Sequence, residues 1–463
     1  MTEQPLHVVI LAAGEGKRMN SGLPKVLQPV AGRPMLEHLV RTTLALDPAG
    51  VHVVVGHEAG RVRDLLDAIE APGLDSVEQR QRLGTGHAVQ QAMGSVPDDG
   101  RVLVLPGDMP LVRIETLSRF VEAPGELGVL TFIAEDPFGY GRILRDGGRV
   151  TGIREQRDAT PAEAEVREVN SGVLIAGAGR LRGWLARLGN ANSQGEYYLT
   201  DCVGLAVADG IRVETVICDD SDELLGANDM AQLAGLERAL QQRRRSLLLA
   251  SGVRMAAPET VQVRGEVRSG RDVAIDAGVV LEGDVDLGDG VEIGTGCVVR
   301  DCRLAAGTRI EPHCVLDGVE TTGAAHLGPF ARLRPGTLLA AGVKIGNFVE
   351  TKNARFGEGA KASHLTYAGD ADIGAGANLG AGTITCNYDG VNKHRTEIGS
   401  NAFIGSNVAL VAPVTVGDNA TIGAGSVVSG QAPANALTVA RARARSIEGW
   451  KRPTRKSGDD PSG

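Results

Sequence analysis

Between Ile398 and Val428 an aliphatic residue falls on every sixth position: Ile398, Ile404, Leu410, Val416, Ile422 and Val428. Glycine follows four of them, at Gly399, Gly405, Gly417 and Gly423. The same beat runs through Ile275, Leu281, Leu287 and Ile293, and through Leu327, Leu333, Leu339 and Ile345. A period of six is neither the 3.6 of an amphipathic helix nor the 2 of a half-buried strand. It predicts a coiled β-solenoid, in which each short strand sends one aliphatic side chain into a shared interior. At six residues per face and three faces per turn, residues 251–437 make roughly nine or ten coils.

Composition fits such a coil. There are 63 glycines in 463 residues, about twice the usual share, and aromatics are only 3%. Tight corners want glycine, and a narrow interior wants small aliphatics rather than rings. The formal charge of −9 argues against a general nucleic-acid binder. The six cysteines form no CxxC pair and no His-rich metal spacing, and a core this long needs no disulfides. They read as reduced thiols of a cytoplasmic protein. The apolar run after Pro5 stops at Gly14 and has no positive segment before it, so it reads as a strand and not a signal peptide. No stretch approaches the ~20 apolar residues of a membrane span.

Residues 6–227 read as α/β. His7–Ala13 is a continuous apolar run, as a buried parallel strand should be. Val51–Val55, Arg101–Leu105, Gly128–Ala134, Gly172–Ala176 and Arg212–Ile217 are further strands, with helical segments such as Met35–Leu46 and Gly60–Ile69 between them. The alternation predicts a doubly wound, Rossmann-like sheet, whose ligands sit beyond the carboxyl ends of the strands. The first such loop, Ala12-Ala13-Gly14-Glu15-Gly16-Lys17-Arg18-Met19 with Pro24-Lys25 after it, offers glycines for backbone approach to an anion and cations to neutralise it. It is neither a P-loop nor a dinucleotide fingerprint, and a plain turn with solvated cations fits it as well. The second, Pro106-Gly107-Asp108-Met109-Pro110, places a carboxylate where a phosphate-bound Mg²⁺ would want one, although an Asp at a strand end is also an ordinary turn residue.

These loops, with Leu83-Gly84-Thr85-Gly86-His87-Ala88, Tyr140-Gly141-Arg142 and Gly195-Glu196-Tyr197-Tyr198-Leu199-Thr200-Asp201, resemble the nucleotide-sugar pyrophosphorylase family. Joined to the solenoid, the chain is similar over nearly its whole length to the bacterial bifunctional N-acetylglucosamine-1-phosphate uridylyltransferase/glucosamine-1-phosphate N-acetyltransferase family. The resemblance implies an α/β nucleotidyltransferase domain over 1–228, a linker helix over 229–250, and a left-handed parallel β-helix acetyltransferase domain with its tail over 251–463. It implies transfer of UMP from UTP to N-acetylglucosamine-1-phosphate with release of pyrophosphate. Arg18 and Lys25 would hold the triphosphate. Leu11, Ala12, Ala13, Gly14 and Gly107 would bring backbone to the nucleotide, and Gln79, Gly84 and Thr85 would read the uracil. Asp108 and Asn228 would bind Mg²⁺, and Gly141, Glu155 and Asn170 would grip the sugar. Pro106 departs from the hydroxylated residue often found before Gly-Asp, so no hydroxyl contact is expected there.

In the second half the six-residue beat breaks around Phe330–Leu365 and Leu379–Arg395, where polar residues interrupt it. Such interruptions on a solenoid form binding faces. An amine acetyltransferase needs a base, for which His364 suits neutral pH, and cations for a sugar phosphate, for which Arg334, Lys352 and Lys393 are candidates. Glu350 is a candidate to orient the imidazole. By the resemblance His364 is the base, and Arg334, Lys352, Tyr367, Asn378 and Lys393 bind glucosamine-1-phosphate. Ala381, Asn387, Tyr388, Ser406, Ala424 and Arg441 would contact acetyl-CoA or the reacting amine. The family also implies a homotrimer.

Met230, Leu233, Leu236 and Leu240 keep helical spacing, and Arg243-Arg244-Arg245 reads as a solvated face of that helix. The tail carries seven basic residues between Arg441 and Lys456, which reads as a flexible or subunit-packing C-terminus. An alternative is a monofunctional nucleotidylyltransferase whose solenoid only oligomerises or regulates. His364 and the Cys386-Asn387-Tyr388-Asp389-Gly390 insertion argue against that, and against a pure scaffold.

Overall fold

The computed structural model describes residues 4–123 and 125–453. The chain divides into two compact units, Met1–Leu248 with Gln262–Gly265, and Leu249–Val261 with Glu266–Gly463. Residues 1–3 and the end of the basic tail, including Arg455 and Lys456, lie outside the described residues.

The first unit is built on a nine-stranded mixed sheet. Its main path runs Val213–Ile217, Leu127–Ile133, Glu168–Gly177, Arg101–Pro106, Leu6–Ala12, Gly50–Val55, Leu74–Glu78. Every strand read from the sequence is present. Glu168–Gly177 runs antiparallel to both its neighbours, and the hairpin Gly141–Asp146/Arg149–Arg154 pairs with it. Continuous apolar runs form the centre because both sheet faces are covered: all of Gly50–Val55 is buried. Side chains alternate across the sheet. Val8, Ile10, Leu103 and Leu105 pack with Leu36, Leu39 and Phe120 on one face; Val9, Val102 and Val104 pack with Val89, Trp184 and Cys202 on the other.

The helix Met230–Ala250 lays Leu236 and Leu240 against Met19, Val30, Met35 and Leu111. The arginine run is not a solvated face. Arg243 donates to the Leu111 carbonyl at 2.6 Å, Arg244 to that of Val263 at 2.8 Å, and Arg245 is buried. Backbone carbonyls at loop ends offer acceptors that a helix-only reading cannot foresee.

The second unit is a parallel β-helix of the left-handed hexapeptide type, with strands stacked in parallel register. One face stacks 11 strands from Arg254–Met255 to Leu437–Thr438, so ten steps separate its ends. All the residues of the beat are buried, among them Leu281, Leu333, Ile404 and Ile422 at 0% exposure. Where the beat lapses, threonines fill the interior. Thr351 stands beside Leu333 in the ladder, and its hydroxyl lies 2.9 Å from that of Thr337, so these two buried hydroxyls are partnered. All six cysteines are free thiols, and all but Cys386 are buried.

Candidate active sites

The first site lies where a doubly wound sheet holds its ligands, beyond the carboxyl ends of Leu6–Ala12 and Arg101–Pro106. A cleft of about 760 Å³ is lined there by Leu11, Ala13, Gly14, Gln79, Gly84, Thr85, Gly141, Glu155 and Asn170 of the expected set. Ala12 is buried in the strand end, and Gly107 ties the second loop to the first by donating to the Leu11 carbonyl at 2.9 Å. Arg18 is exposed on the turn Lys17–Met19 and does not line the cleft; Lys17 and Arg82 do. Pro106 lines it as well.

The polar groups in the cleft are held by neighbours. Gln79 donates to the Gly84 carbonyl at 3.1 Å and lies 3.0 Å from His87 Nδ1. Thr85 Oγ1 accepts from the Leu199 amide at 3.0 Å, and Asn170 Oδ1 from that of Gly172 at 3.0 Å. Thr200 donates to Glu155 at 2.8 Å, yet burial outweighs that bond and pushes the Glu155 carboxyl up. Gly84 sits at φ +110°, and a Cβ there would come within 2.6 Å of the Tyr197 carbonyl, so no other residue fits the loop unstrained.

Lys25, Asp108 and Asn228 converge from three segments. The Lys25 ammonium lies 2.5 Å from Asp108 Oδ2 and donates to Asn228 Oδ1 at 2.7 Å. Gly226 permits this approach: a Cβ there would stand 2.7 Å from Asp108 Oδ2. Burial, helped by the Asp108 carboxylate, pushes the Tyr140 hydroxyl up, and Tyr140 lines the cleft. Two hard oxygen donors thus already share one cation at the edge of the cleft, which fits the donor chemistry of Mg²⁺. Among the described residues no cluster of three or more His, Cys, Asp or Glu side chains is arranged for a metal.

In the second unit the expected residues fall on two columns. Asn347 pairs with His364 in adjacent coils. The register Lys361↔Asn378, Ala362↔Leu379 and Leu379↔Ile404, Ile404↔Ile422 carries the column on through Ala381, Ser406 and Ala424. Arg441 reaches it by donating to the Ala424 carbonyl at 2.7 Å. Asn378 lies on the same face, between Lys361 and Phe403. The second column belongs to the neighbouring sheet, where Glu350 stands between Arg332 and Tyr367. One step along from the Leu333↔Thr351 pair, Arg334 and Lys352 fall side by side.

Lys352 also meets Lys393 of the inserted loop. Hydrogen bonding to Lys393 and repulsion from it lower the Lys352 ammonium below its usual value, and Arg334 adds to this. Cations crowded in this way suit an anion that would relieve them. Asp370 lies nearby: burial opposes its charge, but donors from Asn353, at 2.6 Å, and Asn387 hold it below the usual carboxylate range. The loop folds on itself. Asp389 accepts from the amides of Val391 and Asn392 and faces His394 at 2.8 Å, and Tyr388 bridges to Lys393. Tyr388 is exposed.

Glu350 does not orient His364. It pairs with Arg334 at 2.9 Å on the other sheet, whereas His364 Nδ1 lies 2.6 Å from Asn347 Oδ1. Spacing could not separate the two, because three residues carry the chain around a corner between faces.

Residues 8–191 match the model of the MobA-like NTP transferase domain, and residues 395–430 that of the bacterial transferase hexapeptide. The protein named "Bifunctional protein GlmU" of Stenotrophomonas maltophilia (strain K279a) is 56% identical over 98% of this chain and all of its own length. That of Alkalilimnicola ehrlichii is 56% identical over 97% of each chain. The chain belongs to the bifunctional GlmU family. The identity spans both units, so both domains of a GlmU protein are present, and the solenoid is more than an appendage. That of Xanthomonas axonopodis pv. citri shares the same 56% identity over 98% of this chain.

Proposed function

We propose that the chain makes UDP-N-acetylglucosamine in two steps, acetylating glucosamine-1-phosphate with acetyl-CoA and then transferring UMP from UTP to the product. What supports this most is that each unit carries its own polar cluster, placed where its fold binds ligands. GlmU proteins are bifunctional, as two such clusters require.

In the cleft, Gln79, Gly84 and Thr85 recognise uracil, while Leu11, Ala12, Ala13, Gly14 and Gly107 present backbone to the nucleotide. Gly141, Glu155 and Asn170 hold the sugar so that its phosphate oxygen faces the α-phosphorus. The transfer needs alignment and charge neutralisation more than covalent help. Lys25 and Arg18 neutralise the leaving pyrophosphate. Asp108 and Asn228 would hold Mg²⁺, which supplies further positive charge when bound.

On the β-helix, Arg334, Lys352 and Lys393 clamp the phosphate of glucosamine-1-phosphate, with Tyr367 and Asn378 beside them. His364 takes a proton from the sugar ammonium. The neutral amine attacks the thioester carbonyl, the C–S bond breaks, and the CoA thiolate leaves to be protonated. Asn387, Tyr388, Ala381, Ser406, Ala424 and Arg441 border the coenzyme. An isolated prism offers flat faces, so a homotrimer, in which neighbouring prisms wall the site, completes the reading. The protein works in the cytoplasm, where its substrates are. No helix among the described residues is long and apolar enough to cross a membrane.

The test supplies glucosamine-1-phosphate, acetyl-CoA, UTP and Mg²⁺, and follows free CoA thiol and UDP-N-acetylglucosamine separately. Both products should form, thiol first. Nucleotide-sugar formation only from added N-acetylglucosamine-1-phosphate, with no thiol release, would contradict the reading.

A further inference from the structure

We infer that Asn347 is the positioning residue of the acetyl-transfer base, fixing the proton of neutral His364 on Nδ1 so that Nε2 is free to accept; this rests on the acetyltransferase reading above. The inference begins with the ladder. Lys344–Asn347 and Lys361–His364 are adjacent parallel strands in which Asn347 stands opposite His364. Both residues immediately precede a left-handed corner, Phe348 at φ +55° and Leu365 at φ +49°. The backbone continues the pairing past the strand end, the Leu365 amide donating to the Asn347 carbonyl at 3.1 Å. Neighbouring strands lie about 4.8 Å apart, so two side chains leaving the same corner in successive coils must meet.

They meet at 2.6 Å, between Asn347 Oδ1 and His364 Nδ1. An amide oxygen only accepts, so the hydrogen belongs to Nδ1, and the lone pair of a neutral imidazole then lies on Nε2. A free neutral imidazole in water favours the opposite tautomer, with its proton on Nε2, which cannot accept one from an ammonium. The amide therefore selects the minor, competent form. Being uncharged, it does so without adding a carboxylate to the site. The next residue in the column is Ala381, whose methyl leaves the other flank of the imidazole open, and His364 is itself exposed. Glu350, the carboxylate of the neighbouring strand, is engaged by Arg334 on the other sheet.

The experiment uses the full-length protein labelled with ¹⁵N-histidine, the His364 signals being assigned by their loss in His364→Gln. In the wild type the proton should reside on Nδ1. In Asn347→Leu, which keeps the shape and removes the acceptor, it should move to Nε2. The kcat for acetyl transfer should fall about 10- to 100-fold, with KM for glucosamine-1-phosphate within about twofold. Asn347→Asp, which restores an acceptor, should restore the Nδ1 tautomer and most of the rate. A wild-type proton on Nε2, or a tautomer unmoved in Asn347→Leu, overturns the proposal. A tautomer that switches while kcat stays put overturns its catalytic half and locates the fault in His364 as base, which His364→Gln kinetics then show directly. Loss of uridylyl transfer alongside would mark general misfolding and count against a positioning role.

Discussion

The cleft of the first unit gathers its residues from loops at the ends of separate strands, and glycines admit close neighbours around it: Gly84 the Tyr197 carbonyl, Gly226 the Asp108 carboxylate. The β-helix gathers its residues by register. Asn347, His364, Ala381, Ser406 and Ala424 share one column because their coils stack in step, although they are spread over 78 positions from 347 to 424. A loop site fails locally when one residue changes. A register site has side-chain roles that can be removed singly, and a scaffold whose failure removes them all.

The largest effects should separate the units. His364→Ala should lower acetyl transfer by about 10²- to 10⁴-fold with uridylyl transfer intact, read by thiol release. Asp108→Asn should lower uridylyl transfer by about 10²- to 10³-fold with acetyl transfer intact, read by pyrophosphate release. Sharpening the contrast, Ile404→Ala removes a fully buried residue of the beat and should cost about 2–5 kcal/mol in denaturant unfolding of the β-helix, sparing the cleft's activity. Gly84→Ala should raise KM for UTP about tenfold, through strain at a positive φ rather than loss of any side chain.

The smallest effect concerns Glu155. Its carboxyl is raised by burial, so the fold favours the neutral form. That contribution is full below the unfolded value and is lost as pH rises through the folded one. Glu155→Gln should therefore melt slightly higher than the wild type at pH 7 and equally at pH 4, while binding the sugar less well. Equal melting at both pH values would argue that Glu155 is not held against its charge.

The buried side of the β-helix was legible because a narrow interior admits one aliphatic per face, and the spacing records it. The central strands of the first unit were legible for the same reason, as two-sided burial leaves unbroken apolar runs. Leu74–Glu78 was not, since it is an edge strand with no fully buried residue, and the hairpin Gly141–Arg154 is largely polar. The direction of Glu168–Gly177 leaves no trace in composition. The sites divide likewise. Motifs picked out Gln79, Asp108 and His364, but the partner of His364 lies 17 residues away and on the same corner, while Glu350, closer in sequence, faces elsewhere. Only the coil length, known once the chain is folded, tells them apart. The part-buried Arg243 and Arg244 of the helix Met230–Ala250 were not legible as such because their acceptors are backbone carbonyls distant in sequence.

That the two activities reside in independent sites is tested most directly by complementation. Asp108→Asn and His364→Ala proteins, each shown to be folded, are given glucosamine-1-phosphate, acetyl-CoA, UTP and Mg²⁺, first alone and then mixed. Neither alone should make UDP-N-acetylglucosamine at more than a trace, and the mixture should restore its formation, the acetylated sugar passing through solution from one variant to the other. A mixture as inactive as its parts would contradict the account.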